Sequence, residues 1–69
     1  MWEAVAVAQN TFYVYAFYPA RDELIEDQLE AKNVKLAQDD AMLYFPLAQL
    51  VVQETKADDP RSLFAQPDL

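Results

Sequence analysis

From Thr11 to Tyr18 the chain reads Thr-Phe-Tyr-Val-Tyr-Ala-Phe-Tyr, an uncharged run of aromatic, β-branched and small residues. That run predicts a pleated, half-buried β-strand. Alternation puts Phe12, Val14, Ala16 and Tyr18 on one face and Tyr13, Tyr15 and Phe17 on the other. The second face is aromatic enough to call for a cover: a second chain, the C-terminal segment or a ligand.

The next stretch, Pro19 to Lys32, changes period. On a helical wheel Asp22, Glu23, Glu26, Asp27 and Glu30 fall inside one arc of about 140°, and Leu24, Ile25, Gln28, Leu29 and Ala31 take the opposite side. The spacing predicts an amphipathic helix with a carboxylate face and an apolar stripe that packs on the aromatic strand. Pro19 suits its first turn, and Asn33 suits a left-handed cap at its end.

The flanking segments predict further strands. Trp2–Ala8 alternates valine with alanine, and Gln9-Asn10 is a turn signal between it and the aromatic strand. Val34–Gln38 and Ala41–Phe45 predict a second hairpin about Asp39-Asp40, with continuation of the helix through Ala37 as the competing reading. After Pro46, the recurrence of Leu47, Leu50, Val51 and Glu54 favours a short helix, although Leu50-Val51-Val52 also suits a strand. The expected fold is α+β: a small antiparallel sheet of about four strands on one acidic helix, in the order ββαββ, with a short C-terminal helix. Residues 1–55 form the expected single domain and 56–69 a C-terminal tail, partly ordered or flexible. In that tail two readings stand side by side: Asp59-Pro60 opens one helical turn that docks Leu63 and Phe64, or the segment frays.

Composition then limits the chemistry. A chain of 69 residues has a marginal core, and such chains commonly rely on a disulfide, a metal or a partner chain. There is no Cys and no His, which removes a disulfide and the usual zinc ligands and leaves a second copy of the chain as the expected staple. Neither a leader of the basic-then-apolar kind nor a bilayer-length apolar run is visible, so the protein is expected in the cytoplasm. There is also no Gly. Phosphate-cradling loops are therefore absent, and left-handed backbone positions fall to Asn or Asp.

Without His or Cys, and with Ser62 as the single serine, no nucleophile–base pair is legible, and the chain reads as a non-enzyme without cofactor or metal. Twelve acids against five bases give a net charge of −7, which disfavours nucleic acid and anionic membranes as direct partners and favours a basic protein. The expected partner-binding residues are Asp22, Glu23, Glu26, Asp27 and Glu30, with Asp39 and Asp40 extending the patch. A carboxylate row one helical turn apart, about 6 Å, approaches the spacing of backbone phosphates. A second expected surface, for homodimerisation or assembly, comprises Tyr13, Tyr15, Phe17, Leu63 and Phe64.

In size, acidity and lack of cofactor chemistry, the chain resembles phage-encoded nucleic-acid-mimic inhibitors of the anti-restriction and anti-CRISPR kinds. The resemblance is one of composition and covers no aligned residues. It implies a stoichiometric inhibitor that occupies a basic nucleic-acid-binding groove.

Overall fold

The computed structural model describes residues 9–64. Strand β1 spans Asn10–Tyr18, β2 Glu23–Ala31 and β3 Gln49–Gln53, and helix α1 spans Val34–Tyr44. Short 3-10 turns occupy Pro19–Arg21 and Pro60–Phe64. The sheet is antiparallel with order β2-β1-β3, so β1 is central and, among the described residues, both others are edges. The fold is mixed α+β, in the order β-β-α-β. The strand expected at Trp2–Ala8 lies outside the described residues.

The aromatic strand forms as its composition predicts, and Phe12, Val14, Tyr15 and Ala16 are all buried. Three other expectations are corrected. The acidic segment is strand β2, not a helix, with Ile25 opposite Ala16, Leu29 opposite Phe12 and Leu24 opposite Phe17. Its leucines and isoleucine therefore reach both faces of the sheet. Second, the segment expected as a hairpin about Asp39-Asp40 is one continuous helix, α1, with both aspartates exposed inside it. Asn33 does not close a helix. It opens α1 from extended backbone (φ −153°), its side chain accepting the Leu36 N–H at 3.0 Å. Third, the residues after Pro46 enter β3 rather than a helix.

Helix α1 covers the sheet face that carries Phe12, Leu29 and Val52, and Ala31 and Ala37 complete this cluster. The helix buries alanines, Ala37 and Ala41, so it lies close to the sheet without presenting large side chains to it. The opposite face carries Tyr13, Tyr15 and Phe17 and is covered by the segment after β3. The buried Tyr15 hydroxyl accepts the Ala57 N–H at 2.8 Å, and the Phe64 ring stacks on Phe17 with centroids 5.4 Å apart.

Two turns need positive φ. Asp22, at φ 48°, closes the β1–β2 connection after the 3-10 turn that Pro19 begins, as a chain without glycine requires. The second falls to Leu47, at φ 67°, and not to the Asn or Asp expected of a glycine-free chain. The Ala48 N–H reaches the Phe45 carbonyl at 3.4 Å, which places Pro46 and Leu47 at the two central positions of a tight turn. Pro at the first and positive φ at the second is the type II pattern, where Gly is the ordinary occupant. A leucine there costs about 1–2 kcal/mol of backbone strain. The Tyr18 hydroxyl donates to the Pro46 carbonyl at 3.2 Å and ties this turn to the end of β1.

Candidate functional site

The seven acids expected to form one surface are all exposed, but the strand geometry divides them. Asp27, opposite Val14, and Glu23, opposite Tyr18, belong to the α1 side of the sheet. Glu26, opposite Tyr15, and Glu30, opposite Thr11, belong to the other side. On a strand, residues four apart are about 13 Å apart, so the carboxylate row at one-turn spacing does not exist. What exists instead is an acidic edge strand whose charges alternate between two faces.

Three of the seven acids have intramolecular cations. Arg61 Nη1 lies 3.1 Å from the Asp22 carboxylate, Arg21 Nη2 3.2 Å from that of Glu23, and Lys35 Nζ 4.0 Å from that of Asp39. Among the described residues, Glu26, Asp27, Glu30 and Asp40 have no such partner within 4.0 Å. Asp27 instead accepts the N–H of Gln28 at 2.7 Å. This contact occupies a backbone donor on a sheet edge, and charge along such an edge discourages strand addition.

Between β1, β2 and the segment after β3 lies a cleft of about 190 Å³ lined by Tyr13, Tyr15, Glu26, Asp27, Gln28 and Lys56. It is smaller than the ~300–1,000 Å³ typical of small-molecule sites. Among the described residues no group of three or more His, Cys, Asp or Glu is arranged to hold a metal, and no helix is long and apolar enough to cross a membrane.

The expected apolar surface is also redistributed. Tyr15 is 1% exposed, Phe17 is half-buried beneath Phe64, and Arg61 lies 6.0 Å from the centre of the Phe17 ring. The C-terminal segment is thus the cover of the aromatic face. Leu63 remains 36% exposed. The other large apolar residues that stay in water lie elsewhere: Val34 and Leu36 near the start of α1, Met42, Leu43 and Tyr44 at its end, and Leu47, which is 99% exposed. Sequence reasoning missed this group because it assigned Val34–Gln38 and Ala41–Phe45 to strands and Leu47 to the apolar stripe of a helix.

Comparison of the chain with protein-family models, with curated proteins and with solved structures finds no match.

Proposed function

We propose that this is a non-enzymatic binding protein whose acidic β2 edge docks on a basic surface of a protein partner. In its sharper form, the protein is a stoichiometric inhibitor that occupies a surface used for nucleic acid, working in the cytoplasm without a cofactor. The observation that carries the reading is the exposure of Glu26, Asp27 and Glu30 on one edge strand, with no cation paired to them among the described residues. Unpaired surface carboxylates raise the negative potential and speed encounter with a basic partner. The mimicry is one of charge rather than of phosphate spacing, since the strand does not reproduce a regular one-turn row.

The test is capture of partners from the native cell, with washes running from about 0.1 M to about 1 M salt, over which the screening length falls from about 10 Å to about 3 Å. A basic nucleic-acid-binding protein should be retained at low salt and released at high salt. The triple variant Glu26→Lys, Asp27→Lys, Glu30→Lys should not retain it, while far-UV circular dichroism stays unchanged because all three side chains are exposed. Equal capture by the variant, or retention at the highest salt, refutes the reading.

A further inference from the structure

We propose that residues 54–64 form a strap that opens as one unit over an intact sheet and so bares the aromatic face of Tyr13, Tyr15 and Phe17. The inference stands apart from the function of the acidic edge.

The strap leaves β3 at Gln53, opposite Tyr13, and follows the central strand towards its far end. Its fastenings lie at Tyr15, at Phe17 and at the β1–β2 corner. The Ala57 N–H donates to the Tyr15 hydroxyl, and the Phe64 ring stacks on Phe17. At the corner Arg61 clasps a single residue twice: Nη1 donates to the Asp22 carboxylate at 3.1 Å and Nη2 to the Asp22 carbonyl at 3.4 Å.

No ladder joins the strap to the rest of the molecule. Among the described residues, every hydrogen bond from 54–64 to the sheet or its corner uses a side chain on at least one partner. Ala57, Pro60 and Phe64 are half-buried and the other strap residues are exposed. A segment with so little burial and no backbone pairing lies at the low end of local stability. The sheet needs none of it, since β1 pairs with β2 on one side and β3 on the other. The strap is also slack. Residues 53–64 could reach about 36 Å when extended, whereas Tyr13 and Phe17 lie about 13 Å apart along β1. The far end can therefore leave while β3 stays paired.

The fastenings at that end are coupled. Arg61 lies 6.0 Å from the centre of the Phe17 ring, the same ring on which Phe64 stacks. Pro60 stiffens the turn that carries both, and the Ser62 N–H and hydroxyl both donate to the Asp59 carbonyl, at 3.1 Å and 2.7 Å. Freed there, the strap keeps one hydrogen bond to the sheet's aromatic face, the one from Ala57. Its departure uncovers Tyr15, which is 1% exposed when the strap is closed. It also removes Lys56 from the wall of the 190 Å³ cleft and joins that cleft to the vacated seat on Phe17.

Amide exchange of the full chain, with nitration of tyrosine as a second readout, tests the proposal. In the wild type the Ala57 amide should be less protected than the β1–β2 ladder amides, and its exchange should respond less to sub-denaturing urea, because the opening exposes less surface than unfolding. Asp22→Asn keeps the left-handed corner and removes its charge, while Arg61→Gln removes the clasp without touching the corner. Neither change reaches the hydroxyl that Ala57 uses. Each should nevertheless speed Ala57 exchange about twofold to fivefold, the range of an exposed ion pair, and Phe64→Ala should speed it roughly tenfold. Nitration of Tyr15 should accelerate by the same factor in each variant, with Tyr44, 71% exposed, as the unchanged internal standard. Ala57 exchange that is unaltered in both clasp variants overturns the proposal, because the fastenings then open one by one. So does equal protection and equal urea response of Ala57 and the ladder, since the strap would then leave only with the whole fold. Faster Ala57 exchange without faster nitration of Tyr15 overturns it as well.

Discussion

Replacing Tyr15 by Phe removes one oxygen atom and keeps the ring, so it isolates the hydrogen bond that fastens the C-terminal segment to the sheet. Tyr15 is 1% exposed and its hydroxyl accepts the Ala57 N–H at 2.8 Å in a part-buried position. A neutral intramolecular hydrogen bond contributes about 0.5–1.5 kcal/mol net, and the retained ring leaves no large cavity. The expected loss is therefore about 1 kcal/mol, or roughly 4–8 °C in melting temperature for a domain of this size. The change should be greatest near the bond itself. Amide exchange at Ala57 should accelerate about fivefold, while the β1–β2 ladder amides respond only to the loss of global stability. Urea unfolding followed by far-UV circular dichroism should show a lower midpoint with an unchanged slope. Adding Phe64→Ala should give less than the sum of the two single effects, since both residues hold the same segment. Unchanged Ala57 exchange would refute the reasoning by showing that the hydroxyl does not fasten the segment. A loss above about 3 kcal/mol would also refute it, because the ring packing would then have changed as well.

Two further substitutions test the other layer. Asn33→Ala removes the side chain that accepts the Leu36 N–H at the start of α1 and should cost about 1 kcal/mol in a thermal or urea melt, whereas Asn33→Asp should retain most of the stability. Ala41→Leu forces a larger side chain into a fully buried contact between α1 and the sheet and should cost about 1–3 kcal/mol. A neutral result there would mean that α1 does not pack closely on the sheet.

The central strand was legible because its aromatic and β-branched residues admit few alternatives, and Pro19 marked its end correctly. Strand β2 was not legible for a physical reason. Glu, Leu and Gln are good helix formers, and Leu24, Ile25 and Leu29 fit a helical stripe as well as they fit a strand. With α1 on one face of the sheet and residues 54–64 on the other, β2 can direct apolar side chains both ways, so the alternation that would have identified it is lost. Helix α1 hid for the opposite reason. Its buried stripe is alanine, and its largest apolar residues point outward, so the hydrophobic pattern marks the wrong side. Asn33 was singled out as a helix boundary with the direction reversed, because asparagine serves at either end. Of the candidate site, the acidic residues were correctly read as exposed, but their division between two faces depended on the strand assignment. The coverage of Tyr15 and Phe17 by the C-terminal segment was one of three covers the sequence left open.

In a chain with no glycine, the corners where the backbone reverses cannot be chemically blank. Elsewhere a sharp bend is usually made by the residue with nothing to show. Here, among the described residues, both left-handed bends carry a side chain out into solvent: an anion at Asp22, already held by Arg61, and a bare hydrocarbon at Leu47. The vertices of this small molecule thus become places where its surroundings can tell one end from the other.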